Sequence, residues 1–159
     1  MNKMIKVVFV CLGNICRSPM AEGFFRQKVE EAHVADQFDI DSAATGSWNL
    51  GNPPHRGTQK VLEKHHIDFS HMRARKLNEA DFKTADYIIG MDDSNVTDIL
   101  ALGGENSQAS IHKLMDFVPN SDNPSIPDPY YTGDFDETER LISAGIEGLF
   151  QKIRLEKGI

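Results

Sequence analysis

The 159-residue chain is predicted to fold as one α/β domain over residues 1–159, with a central four-stranded parallel sheet flanked by helices on both faces. Three observations predict this. Short apolar runs alternate with helical segments, the order produced by strand–helix–strand units with right-handed crossovers. The first run, residues 5–10, is unbroken and largely β-branched, as in a strand covered on both faces. The composition, 40% hydrophobic and 26% charged, suits a single core of ordinary size, and no repeat, low-complexity tract or linker divides the chain.

The elements follow in order. After the first strand, Cys11-Leu12-Gly13-Asn14 forms a turn. Ser18 reads as a helix N-cap with Pro19 in the first helical position, where its missing N–H costs nothing. That helix runs to about residue 33; Phe24, Phe25, Lys28 and Val29 give it a mixed face, so its caps define it better than its periodicity. Residues 38–43 alternate apolar and polar as a second strand, and the turn-rich segment 45–54 carries the only tryptophan, Trp48. Residues 57–65 form a helix with Val61, Leu62 and His65 on one face, and 78–82 a short capped turn. A third strand covers 87–91, a helix runs from Asp92 to about 102, and a weaker fourth strand covers 111–114. Residues 118–135, rich in Pro, Asp, Asn and Gly, form a long loop of the kind that carries function. The last helix, about 136–156, has Ile142, Ile146, Leu149 and Ile153 on one stripe.

The chemistry concentrates where the first strand ends. Strand, tight loop and helix N-terminus make an anion site: the backbone N–H groups of residues 12–17 converge and the helix dipole adds positive potential. Gly13 permits close backbone approach, and Arg17 offers a planar fork for two phosphate oxygens. Cys11 lies in the same field as a sulfur nucleophile. Holding a thiolate three pK units below its ordinary range takes roughly 4 kcal/mol. A helix dipole supplies at most about 2 kcal/mol, so loop amides, Ser18 and Arg17 must share the task. Cysteine, five residues, arginine recurs by chance and would describe a structural cysteine near a surface arginine; the strand before it and the helix start after it give it meaning.

Attack on a phosphate monoester also needs an acid for the departing oxygen. Asp128 lies between Pro127 and Pro129, which hold it extended and rigid, with Tyr130 and Tyr131 beside it to flank a flat leaving group. Cys11 and Asp92 both follow strands, so they are expected at the same edge of the sheet, where open parallel sheets bind ligands.

Other classes lack support. No Gly-Lys-Ser/Thr and no Gly-x-Gly-x-x-Gly motif occurs, which removes the nucleotide readings. A net charge of −7 argues against nucleic acid held on a basic surface. Two cysteines, both in one loop, make neither a disulfide scaffold nor a complete zinc site, and the histidines lack metal-ligand spacing. No signal peptide and no membrane-length apolar segment is evident, so a cytoplasmic protein without membrane or nucleic-acid partners is expected.

Four motifs occur together in order: Val10-Cys11-Leu12-Gly13-Asn14-Ile15-Cys16-Arg17-Ser18-Pro19, Thr45-Gly46-Ser47-Trp48, Met91-Asp92-Asp93-Ser94-Asn95 and Asp128-Pro129-Tyr130-Tyr131. On these the chain resembles the low-molecular-weight protein tyrosine phosphatases, most closely their bacterial members, over essentially its whole length. The resemblance implies hydrolysis of phosphotyrosine in proteins without metal or other cofactor, with inorganic phosphate as product. Cys11 would be the nucleophile forming a phosphocysteine, Arg17 the phosphate clamp and Asp128 the general acid and base. Leu12, Gly13, Asn14, Ile15, Cys16, Arg17 and Ser18 would bind the phosphate. Asn14, Ser18, His71, Asp92 and Asn95 would support the loop, and Leu12, Trp48, Tyr130 and Tyr131 would wall the cleft.

Two readings of Cys16 stay open: a partner for a reversible disulfide that shields Cys11 from over-oxidation, as in the family, or a small packing residue. Within the fold, phosphoarginine hydrolysis is associated with threonine where this chain has Ile15 and with an Asp-Pro lacking the tyrosine pair. Arsenate reduction needs further cysteines, and none follows Cys16. A non-catalytic phosphate-binding module would lack Cys11, Arg17 or Asp128, and all three are present.

Overall fold

The computed structural model describes residues 4–121 and 124–159; the first three residues of the N-terminal segment and positions 122–123 of the long loop lie outside them. Strands β1 (Ile5–Cys11), β2 (Phe38–Ala44), β3 (Tyr87–Gly90) and β4 (Ser110–Lys113) pair in parallel in the order β2-β1-β3-β4. Around them stand α1 (Arg17–Glu31), α2 (Arg56–Lys64), α3 (Glu79–Thr84), α4 (Asp93–Leu102), α5 (Pro129–Thr132) and α6 (Phe135–Lys157). The expected four-stranded parallel α/β domain is the fold that forms.

β1 explains why the sheet is covered twice. Side chains alternate along a strand, so Val7 and Phe9 join α1 and α6 residues on one face, while Val8 and Val10 join Phe82, Ile88 and Ile99 on the other. The first face is aromatic at its centre: Phe25 packs against Phe9, Phe38 and Phe150 with ring centroids 5.6, 5.4 and 6.0 Å apart. The α6 stripe is buried as its spacing predicts, at Ile142, Ile146, Leu149 and Ile153.

Two departures from the sequence reading have physical causes. α1 begins at Arg17, with Cys16 as N-cap and no side-chain cap bond; Ser18 lies inside the first turn because its hydroxyl is engaged by Cys11 and Asn14. Pro19 still falls among the four N–H groups that have no helical partner. Burial from Arg17 through Phe25 leaves α1 without a one-sided stripe, which is why its periodicity was weak. The long loop is also less irregular than expected: a 3₁₀ turn over Leu114–Phe117 leads into it, and α5 covers Pro129–Thr132 within it. Four residues are too few to show a period, although an Asp followed by Pro is the sign of a helix start.

β1 neighbours both β2 and β3, so the chain leaves it first to one side and later to the other. The crevice at that switch opens at the carboxyl ends of the strands. Cys11 ends β1, and Asp92 follows β3 as N-cap of α4.

Candidate active site

The loop after β1 is shaped from outside. Its carbonyls are held by neighbouring segments: Thr45 N–H donates to Cys11 O (3.0 Å), Gly46 N–H to Leu12 O (2.9 Å) and His55 N–H to Ile15 O (2.7 Å). The buried Thr58 hydroxyl donates to Cys16 O (2.9 Å). Because a trans peptide is planar, a carbonyl turned outward turns the following N–H inward. The amides of Leu12, Gly13, Cys16 and Arg17 are thereby directed into the loop, as an anion nest requires. Asn14 sits at φ 56°, a left-handed conformation that asparagine tolerates better than most residues. Its side chain then ties the loop down: Nδ2 donates to Ser18 Oγ (2.8 Å) and Ser42 Oγ (2.9 Å), and Oδ1 accepts from Arg75 N–H (3.1 Å).

The Cys11 sulfur lies 3.1 Å from Ser18 Oγ. From there a polar run passes behind the loop. Ser42 donates to Glu22 Oε1 (2.7 Å), and Glu22 Oε2 meets Arg26 Nε (2.9 Å) and His71 Nε2 (3.4 Å). Asn14, Ser18 and His71 were expected to support the loop; Asn14 and Ser18 touch it, whereas His71 reaches it only through Glu22 and Ser42. Those two and Thr58 were missed. Glu22 could have been noticed as a charge at a core position of α1, and Ser42 as a hydroxyl on the buried side of β2.

Arg17 is 2% exposed. Its Nη1 pairs with Asp92 Oδ2 at 2.6 Å and donates to Ile126 O at 2.8 Å, and Nη2 lies 3.4 Å from Asp128 Oδ2. Its Nε is buried and has no hydrogen-bond partner among the described residues. Burial works against the guanidinium charge, but Cys11, Asp92 and Asp128 outweigh it and hold the Arg17 pKa above its ordinary value.

Both carboxylates beside Arg17 are fixed by helix starts. Asp92 Oδ1 accepts Asn95 N–H at 2.7 Å, while Asn95 Oδ1 accepts from Met91 and Asp92 N–H at 2.9 and 3.2 Å, a reciprocal capping box. Asp128 is the N-cap of α5; its Oδ1 accepts Tyr130 N–H at 3.0 Å, which leaves Oδ2 facing Arg17.

Beside them opens a cavity of ≈ 300 Å³ whose lining includes Cys11, Asp128, Leu12 and Ile15 but not Arg17. Its rim carries Trp48, Tyr130 and Tyr131, which are 76, 59 and 74% exposed. The four expected wall residues therefore all line it. Asn49, which the sequence reading passed over, stands against Gly13: a Cβ there would meet Asn49 Nδ2 at 2.7 Å. Cys16 also lines the cavity, and both thiols are free. Burial first, then the charges of Cys11 and Asp128, push the Cys16 pKa up to about 12, against a smaller opposing pull from Arg17. Among the described residues no cluster of His, Cys, Asp or Glu is arranged to hold a metal, and no helix is long and apolar enough to cross a membrane.

The family model for low molecular weight phosphotyrosine protein phosphatases matches residues 6–158. The chain belongs to this family.

Several relatives of this phosphatase are clear. It is 46% identical to the low molecular weight protein-tyrosine-phosphatase YfkJ of Bacillus subtilis, over 97% of this chain and 99% of that one. The crystal structure of YfkJ superposes with a TM-score of 0.94 over 98% of each chain. The low molecular weight protein-tyrosine-phosphatase PtpA of Staphylococcus epidermidis is 44% identical over 94% of each. The crystal structure of an arginine phosphatase from Drosophila is 31% identical, with a TM-score of 0.88 over 94% of this chain and 98% of that one.

Proposed function

We propose that this phosphatase hydrolyses phosphotyrosine in proteins through a phosphocysteine intermediate. The observation that carries the reading is that Cys11 and Asp128 line one cavity while Arg17 stands beside Asp128 with its Nε unpaired among the described residues. A buried donor without a partner is costly, and a phosphate oxygen is a fitting acceptor for it. In the first step the Cys11 sulfur attacks phosphorus and the bond to the phenolic oxygen breaks, with Asp128 giving its proton to that oxygen. In the second step Asp128 takes a proton from water as the water oxygen attacks phosphorus. The sulfur–phosphorus bond then breaks and inorganic phosphate leaves.

The remaining roles follow from the same geometry. The inward amides of Leu12, Gly13, Cys16 and Arg17, with the Arg17 guanidinium, compensate the equatorial charge, the kind of prearranged electrostatics that carries phosphoryl transfer. Ser18 accepts from Asn14 and so has its own proton to direct at the Cys11 sulfur. Asp92, held by Asn95, keeps Arg17 in place. His71 closes the polar run behind the loop. No cofactor takes part. Cys16 lines the cavity with Cys11, which supports a protective disulfide: a peroxide oxidises Cys11 to the sulfenic acid, and the Cys16 sulfur then displaces water from it. The raised Cys16 pKa leaves Cys11 as the nucleophile toward phosphate. The aromatic rim and the aliphatic Ile15 favour an aryl ester over a guanidinium phosphate.

The test is a parallel assay of peptides carrying phosphotyrosine, phosphoserine and phosphoarginine. Preference for phosphotyrosine is expected; preference for phosphoarginine would replace this reading with an arginine phosphatase.

A further inference from the structure

His55 touches four parts of the site at once. Its backbone N–H holds Ile15 O at 2.7 Å. Its ring Nδ1 accepts Gly57 N–H at 3.0 Å and so caps α2. The ring itself stacks on Phe135, the first residue of α6, with centroids 5.1 Å apart and planes at 21°. It meets Tyr130 of α5 edge-on, at 6.3 Å and 81°. Phe135 also lies against Gly57, so closely that a Cβ there would come within 2.5 Å of its ring.

α5 needs such a contact. A helix of four residues does not hold itself, yet its N-cap, Asp128, must be aimed at a reacting oxygen. Tyr130 is bound to that carboxyl through its own N–H (3.0 Å), and an error of about 1 Å in a catalytic group can cost ~100-fold. We infer that the His55 ring is a positioning residue for Asp128: it fixes Tyr130 against the α2–α6 corner and so sets the acid over the phosphate loop. The inference rests on the phosphatase reading above. It separates two properties of His55, the ring that contacts Tyr130 and the nitrogen that caps α2.

Substitutions can divide them. His55→Asn keeps a capping acceptor without the ring, and His55→Phe keeps a ring without the acceptor. The readout is kcat/KM on phenyl phosphate, which needs the acid, and on p-nitrophenyl phosphate, which needs it little. Inhibition by inorganic phosphate is measured alongside. His55→Asn should lose about tenfold on phenyl phosphate and no more than about twofold on the nitro ester, with phosphate inhibition unchanged. His55→Phe should keep the native ratio of the two esters despite a less stable fold. Placed on a Tyr130→Leu background, His55→Asn should cause no further change in that ratio. A native ratio in His55→Asn, an altered ratio in His55→Phe, or additive effects with Tyr130→Leu would each overturn the inference. Absence of turnover by the unsubstituted protein would overturn the phosphatase reading and this inference together, whereas native turnover with an unchanged ratio in His55→Asn overturns this inference alone.

Discussion

The Asp92 carboxylate serves two masters with its two oxygens: Oδ2 pairs with Arg17 Nη1 at 2.6 Å, and Oδ1 accepts the Asn95 N–H at 2.7 Å. The guanidinium is 2% exposed and the Asp92 side chain 26%, so the pair is shielded more than a surface bridge. Asp92→Ala should remove both functions and Asp92→Asn only the charge. Loss of a buried partner costs on the order of 3 kcal/mol, and loss of a cap about 1 kcal/mol more. Urea unfolding should therefore rank native above Asp92→Asn above Asp92→Ala. Equal stability of the two variants would show that the cap oxygen contributes nothing.

Cys11→Ser should abolish turnover of aryl phosphates while inorganic phosphate still binds. The amide ring and Arg17 are held by partners other than the sulfur, through Thr45, Gly46, His55, Thr58 and Asp92. Calorimetric titration with phosphate measures the second part, and retained turnover would refute the covalent mechanism.

Asp128→Ala should slow reaction with poor leaving groups by roughly 10²–10⁴-fold, the usual range for a general acid, and with activated esters far less. The same loss across all leaving groups would remove Asp128 from the acid role. Removal of its cap bond to Tyr130 should also loosen α5, visible as faster amide exchange there.

Asn14 combines a strained backbone with three hydrogen bonds. Asn14→Gly relieves the backbone and loses the bonds; Asn14→Ala loses the bonds and keeps a Cβ at φ 56°. The alanine variant should be less stable than the glycine variant by about 1 kcal/mol. Both should bind phosphate more weakly than native, as read by inhibition.

Cys16 gives a pH dependence. Its pKa rises from an ordinary 9.0 to about 12 in the folded state, so the folded protein keeps a proton that the unfolded chain releases. This contribution to stability is fully present below pH 9 and is lost as pH rises toward 12. Thermal unfolding in the alkaline range should show a falling midpoint whose slope is reduced in Cys16→Ala. An unchanged slope would assign the alkaline loss to other groups.

The sequence carried the fold to within a residue or two at most boundaries, because strand alternation, capping residues and the α6 stripe are local signals. The Asn78–Asp81 and Asp92–Asn95 boxes illustrate this: side chain and backbone three residues apart meet whatever surrounds them. Where a tertiary contact captured a local group, the reading slipped. Ser18 looked like a cap, but its hydroxyl serves the sulfur of Cys11, and α1 begins two residues earlier than its polar signal suggested.

What this sequence determined by itself was chemistry held in short range: a thiol, a tight loop and an arginine between a strand and a helix, and an aspartate stiffened by prolines. The tertiary structure decided which distant groups meet there. Arg17 reaches Asp92 across 75 positions and Asp128 across 111, Asn14 reaches Ser42 across 28, and Thr58 reaches the Cys16 carbonyl across 42. No periodicity encodes such pairs, because they depend on strand order and on the path of loops over the sheet edge. Local physics fixed the nucleophile and the cradle, and long-range packing fixed the direction in which the cradle's amides and its acid point.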